Sequence, residues 1–444
     1  MNTHNTNNFL SQWFGDLWQV FVNELKRIFT DSGVILIFFV AGLAYPVIYN
    51  MMYYKNVVTE VPVAVVDMSS SPESRELVFR WNATQEVQVT HTCANMAQAE
   101  QLLKDQKVHG ILYIPADYAA ILNTGMETAH LSLYCDMSSL LYMKNVYLSA
   151  NMVVLDKMQH VQVDRYEAMN IGSQMSWALV EAVQYEAVNM FNPTGGYGSF
   201  LIPAVLVLIL HQTLFFGIAM LCGTAREENK EIFLLPGRRR RTSVYRIVTG
   251  RTLAYFVIYM AIGSFDLLLV PIIFNLPHLA NPWDVIQFMI PFLLSTILFS
   301  LFLGSFQRER ETGMVTMLFT SLIFLFISGV SWISENMDSV WINVAKLLPS
   351  TWGIHGYIHM QSMGASLSTT AYEYKALWVL TFLYMALCVI SLSIRAHLYN
   401  EDLKKEDAER REKVRLLLHE RRQKLAERQQ KFFSRHHISG NAEA

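Results

Sequence analysis

Two rhythms of apolar and polar residues divide this chain. Long apolar runs occupy residues 33–53, 198–222, 252–274, 285–306, 313–332 and 376–394. Each falls within the range of about 17–25 residues that crosses a hydrocarbon core as a helix. The pattern therefore predicts six transmembrane helices. Ahead of the first run, Leu10, Phe14, Leu17, Phe21, Leu25 and Ile28 recur at spacings of three and four, which makes one apolar helix face. Trp13 and Trp18 flank that face, while Asp16, Gln19, Asn23, Lys26 and Arg27 occupy the other side. Residues 1–32 accordingly read as an amphipathic helix in the membrane interface, charged side toward water. A helix packed by its apolar face on the protein's own core is the competing reading.

A shorter period governs residues 54–197. Segments 61–67, 87–92, 108–115 and 130–136 are brief, rich in β-branched residues and bounded by turn or cap residues, and they predict strands. Segments 71–81, 95–105 and 116–122 predict intervening helices, with Ser and Asn available as N-caps. Alternating strands and helices imply an α/β domain. From 138 to 190 the pattern turns helical and leads back to the membrane, with FNPTGGYG as the breaker before the second span. Residues 333–374 are too apolar for a solvated linker, yet Pro349, Gly353 and Gly356 interrupt them. They predict helices that dip into the outer leaflet under the shelter of the bundle.

Composition agrees with a polytopic membrane protein: 52% of the 444 residues are hydrophobic and only 16% charged. The net charge of -2 hides a segregation of sign. The connector 224–251 carries Arg226, Lys230, Arg238, Arg239, Arg240, Arg241, Arg246 and Arg251 against Glu227, Glu228 and Glu231. Such a loop faces the cytoplasm. The turn 307–312 carries Arg308 and Arg310, whereas 276–283 has no Lys or Arg, so both termini are expected in the cytoplasm and 54–197 outside it. The first span starts too late and ends too aromatic for a cleavable signal sequence. The region 54–197 is acidic, which disfavours nucleic acid as a partner. The tail, 395–444, reads as a charged helix near anionic lipid or on a partner.

Candidate chemistry is sparse. No phosphate-binding loop occurs, since Gly237 to Thr242 lacks the second Gly and the Lys that would hold phosphates. His355 and His359 share a helix face but lack the Glu of a zinc protease. No convergent acid, base and nucleophile set marks an enzyme. His211, Gln212 and Asp266 place polar groups inside spans, where ionisable side chains face a partner or a polar cavity. Antiparallel counting puts His211 and Asp266 at similar depth, so they pair with each other or are satisfied separately. Cys93 and Cys135 fall in the polar region, as a disulfide or as two buried thiols, and Cys222 and Cys388 fall in apolar runs.

The stretches NELKRIFTDSGVILIFFVAGLAYPVIY, VPVAVVDMSSSPESRELVFRW, DQKVHGILYIPADY, FNPTGGYGSFLIPAVLVLILHQTLFFGIAMLCGTAREE and FISGVSWISENMDSVWINVAKLLPSTWGIHGYIHM resemble the permease subunits of type-2 ATP-binding-cassette (ABC) exporters with a large extracytoplasmic domain after the first span. The resemblance covers nearly the whole chain. It implies two permease copies, as a homodimer or a related heterodimer, working with separate ABC ATPase subunits. No cofactor is bound directly; ATP acts through the partner. Residues 10–29 would be a connecting helix and 227–235 a coupling helix. Contact with the ATPase would fall to Glu227, Glu228, Ile232, Phe233, Leu234 and Leu235, and to Arg308 and Glu309 at the 307–312 turn. The resemblance also implies export across a bacterial inner membrane, with a periplasmic adaptor as a further partner. A membrane receptor or envelope scaffold is the alternative class, and a stable ATPase partner discriminates against it.

Overall fold

The computed structural model describes residues 4–125, 127–183, 186–227, 244–307 and 309–397, with isolated positions at 412, 413, 415 and 417. The described residues form two compact units, Asn50–Ile202 and the remainder.

In the second of these, the chain opens with α1 (His4–Thr30). Asp31 then caps α2 (Ser32–Met52) by accepting from the Gly33 and Val34 amides at 3.0 and 3.2 Å. Five further helices are long and apolar enough to span: α8 (Tyr197–Glu227), α9 (Val244–Ile273), α10 (Pro282–Gly304), α11 (Arg310–Ile327) and α14 (Ala371–His397). All six expected spans are present, making a polytopic helical membrane protein. Between α11 and α14 lie α12 (Ser339–Lys346) and α13 (Pro349–Met363), in the segment read as re-entrant. Phe38 of α2 is fully buried and stands edge-on to Tyr259 of α9, ring centres 5.0 Å apart. Wide π turns interrupt two spans, Leu36–Ala41 in α2 and Phe265–Leu269 in α9. The second carries Asp266.

The unit Asn50–Ile202 is an α/β fold. Its strands β1 (Val61–Asp67), β2 (Val87–Thr92), β3 (Gly110–Ile114) and β4 (Ser132–Cys135) lie in the order β2-β1-β3-β4. β1 runs parallel to both neighbours, and β3 pairs antiparallel with β4. Helices α3 (Pro72–Asn82), α4 (Met96–Lys104) and α5 (Tyr118–Thr124) fill the connections, and α6 (Leu140–Ala168) and α7 (Ser173–Val180) follow. The run VPVAVV is apolar throughout because both faces of β1 are covered. Val61, Val63 and Val65 join Leu77, Trp81 and, from α6, Val146 and Ala150. Ala64 and Val66 join Cys93, Ala99 and Ile111 on the other face. A reciprocal Ser71–Ser74 capping box starts α3, and Asn95 caps α4. The Trp81 indole donates to Ser149 Oγ at 3.0 Å, which ties α3 to α6.

All four cysteines are free thiols. Cys93 follows one edge strand and Cys135 lies in the other. Three strand spacings, about 14 Å, separate them, well beyond the Cα reach of a disulfide. The bridge kept open on sequence grounds is thus excluded by strand order. Where the chain enters and leaves this unit, Asn56 clasps the two ends. Its side chain accepts from the Ser199 amide at 2.8 Å and donates to Ser199 Oγ at 2.7 Å, and its carbonyl accepts from the Tyr197 amide at 2.9 Å.

Candidate functional site

The expected orientation of α1 is corrected in one respect. Phe14, Trp18 and Phe29 are exposed, as an interfacial helix requires, and so are Gln19, Asn23 and Lys26, but Asp16 and Arg27 of the polar side are only half-exposed. Asp16, Val20, Glu24 and Arg27 recur at helical spacing, and this edge turns onto the bundle. Gly250 of α9 permits the approach, because a Cβ there would lie 2.9 Å from Val20 Cβ and 3.1 Å from the Leu17 carbonyl.

Two basic groups of α9, Arg246 and Arg251, meet that edge. Arg246 donates to Asp16 Oδ2 at 2.9 Å. Glu24 Oε1 accepts from Arg251 Nε at 2.8 Å and from the Tyr255 hydroxyl at 2.6 Å, and Arg27 lies 3.1 Å from Oε2. Arg27 also donates to the Leu221 carbonyl of α8 at 3.0 Å. Glu24 and Arg251 are both buried. Burial disfavours the Glu24 charge, but Arg251, Arg27 and the Tyr255 hydroxyl outweigh it and hold the carboxyl below the usual carboxylate range.

A second node lies at the start of α2. Asp31 receives Arg310 through two parallel bonds, 2.7 Å to Oδ2 and 2.8 Å to Oδ1, while capping α2. Desolvation again opposes the charge, and the Arg310 bonds with the Val34 and Gly33 amides overcome it, so Asp31 is also held low. The same guanidinium reaches Thr224 Oγ1 at 3.1 Å, and the Arg310 amide reaches Glu227 Oε2 at 3.4 Å. Gly223 lets the 309–310 backbone lie against α8, since a Cβ there would sit 2.7 Å from the Glu309 carbonyl carbon. Arg226 donates to the Gln307 carbonyl at 3.2 Å. One ionic layer therefore joins α1, α2, the last turn of α8, the first turns of α9 and the turn into α11. Bidentate Arg–carboxylate pairs fix geometry as well as charge, so this layer couples five elements at one end of the bundle.

Of the residues expected to contact an ATPase, Glu227 closes α8 and Glu309 stands at the N-cap position of α11, both in this layer. Glu228, Ile232, Phe233, Leu234, Leu235 and Arg308 lie outside the described residues. Sequence reasoning missed Asp16, Glu24, Asp31 and Tyr255. A usable signal existed: Arg251 heads the apolar run TLAYFVIYM, and an Arg within a span requires a named partner.

The intramembrane polar residues do not converge as a pair. Gln212 donates to the Ser321 carbonyl at 3.1 Å, linking α8 to α11. His211 is fully buried against Phe299 and Phe324, with ring centres 5.6 and 5.4 Å away. Neither its nitrogens nor the Asp266 oxygens have a hydrogen-bond partner, so the His211–Asp266 bond is not formed in this structure. Equal depth did not fix azimuth. His355 and His359 contact different partners, the Ser328 carbonyl at 3.0 Å and Glu373 at 3.2 Å.

Among the described residues the architecture is six helices long and apolar enough to span, an α/β unit after the first and a pair of shorter helices before the last. The chain belongs to the ABC-2 family of transporter proteins, whose sequence profile matches residues 32–390. No curated protein matches it. Membership supports a membrane-spanning permease of an ABC transporter and implies partnership with an ABC ATPase subunit.

Proposed function

We propose that this permease serves an ATP-driven exporter. A separate ATPase supplies the energy, ATP acts only through that partner, and a second permease copy completes the pathway. The observation that carries the proposal is the ionic layer joining α1 and α2 to the ends of α8, α9 and α11, in which Arg246, Arg251 and Arg310 of the family-matched region 32–390 meet Asp16, Glu24 and Asp31 just ahead of it. A force applied to residues 224–251 or 307–310 reaches every one of these elements through charged contacts rather than through loops. ATP binding shifts the bundle only if the partner contacts its two states unequally, and this layer supplies a surface on which such a difference acts.

In this reading the 228–243 end is cytoplasmic, both termini share that side, and the α/β unit projects from the opposite face of a bacterial plasma membrane. The Lys and Arg bias of the short connectors supports the orientation. Residues 227–235 dock on the ATPase, and Arg238 to Arg241 add roughly 1 kcal/mol each of attraction to anionic lipid. A periplasmic adaptor would meet the α/β unit.

The test is purification in mild detergent with identification of the co-purifying ATPase, followed by Glu228→Arg and Leu234→Asp. Both variants are expected to fold and insert normally while substrate-stimulated ATP hydrolysis is lost. A chain that is fully functional with no ATPase bound, or variants with unchanged stimulation, would overturn the reading.

A further inference from the structure

Helix α13 begins inside the bundle. Its C-terminal part is pinned to the α9–α10 turn, where the Leu279 amide donates to the Gln361 carbonyl at 2.9 Å. Pro349 lies twelve residues earlier, about 18 Å deeper along a helix axis. Two glycines record what passes alongside. A Cβ at Gly356 would meet the Phe288 ring, and one at Gly353 would meet the Phe292 ring and Val207 Cγ1. Phe288 and Phe292 thus oppose 356 and 353, so α10 runs antiparallel to α13. One further turn inward brings Thr296 level with Ser350. On α8, Val207 opposes Gly353, so His211, one turn on, reaches the same level, and its ring contact with Phe299 agrees.

Four polar side chains at this level have no partner. Both His211 nitrogens, Thr296 Oγ1, Ser350 Oγ and Thr351 Oγ1 are buried and make no hydrogen bond. His211, Thr296 and Ser350 are each 0% exposed. Unpaired buried donors are rare in proteins, and each calls for a partner. No side chain caps α13, and the positive end of its helix dipole lies here. Discontinuous helices in transporters aim such N-termini at anionic groups of the molecules they carry. We propose that the inward end of α13, with His211, Thr296, Ser350 and Thr351, forms an internal site for the oxyanion of an amphipathic cargo molecule.

The proposal rests on the exporter reading only in calling the bound molecule cargo; binding is measured without ATPase or nucleotide, so failure here leaves that reading intact. The full-length chain, in dodecyl maltoside micelles free of phosphate, is titrated calorimetrically with dodecyl phosphate, with inorganic phosphate and with dodecyltrimethylammonium. Saturable binding of dodecyl phosphate is expected, weakened at least tenfold in His211→Leu and weakened less in Ser350→Ala, both eluting as the parent does. His211→Leu suits the aromatic surroundings, and Ser350→Ala is a smaller change should His211→Leu not fold. Absence of saturable binding, equal binding of the cation, or affinities unmoved by the variants overturns the site. Equal affinity for inorganic phosphate overturns the amphipathic part, making a free anion the ligand.

Discussion

Neutralising Glu24 should release α1 from the bundle, and the size of the effect follows from burial. The Glu24 and Arg251 side chains are each 4% exposed, and the same carboxylate also serves Tyr255 and Arg27. Removing one partner of a buried ion pair leaves the other charge uncompensated, at a cost of about 3–5 kcal/mol. Glu24→Gln or Arg251→Met should each show that loss. Replacing both with apolar residues removes the stranded charge, so Glu24→Met with Arg251→Met should return to within about 1–3 kcal/mol of the parent, the remainder being the orphaned Tyr255 hydroxyl. Hydrogen exchange of α1 amides reads the opening directly. Each single variant should exchange roughly 150- to 4,000-fold faster, and the double variant far less. The pH dependence has a definite sign. A carboxyl whose pKa falls on docking contributes fully above its ordinary value of 4.5 and loses the contribution as pH drops through the lower docked value, so α1 should stay seated at neutral pH and loosen only below about pH 4.5. Additive losses in the double variant would refute the reasoning, because they would mean the two side chains do not interact.

Three other outcomes can be checked on the same preparation. Arg310→Lys keeps the charge but gives up the two-pronged grip on Asp31, so thermal unfolding followed by fluorescence should show a loss of about 2 kcal/mol. Gly250→Val forces a side chain against Val20 and the Leu17 carbonyl and should displace α1 at a cost of roughly 1–3 kcal/mol, seen as altered emission of Trp13 and Trp18. In the α/β unit, bonds from Ser138 and His109 hold Asp136 down to about 2, so Asp136→Asn should destabilise at pH 7 and become neutral near pH 2, measured by circular dichroism across that range.

Much of the architecture could be read from local pattern. Six apolar runs became six spans, and the strands at 61–67 and 87–92 have the expected limits, because hydrophobic period and cap residues are local properties. The candidate site was less legible, since its bonds join residues far apart in the chain. Asp16 meets Arg246, Glu24 meets Arg251 and Asp31 meets Arg310. Read singly, Arg246 and Arg251 looked like loop charges that set orientation, and Asp16 looked like part of a solvated face. Only the crossing of α1 over α9, permitted by Gly250, turns them into one layer. His211 and Asp266 show the complementary failure: counting residues gave their depth, but the side of the helix on which each emerges depends on packing and on the π turn at Phe265–Leu269.

The Asn56 clasp makes the α/β unit a detachable cassette. Because one residue, through its side chain at Ser199 and its carbonyl at Tyr197, holds the incoming and outgoing stretches of backbone together, the roughly 140 intervening residues start and finish at a single point. A fold whose ends meet can be excised, exchanged or enlarged without redirecting the helices it interrupts. Exchanging the residues between Asn56 and Tyr197 should therefore leave the spans and the ionic layer among them unchanged.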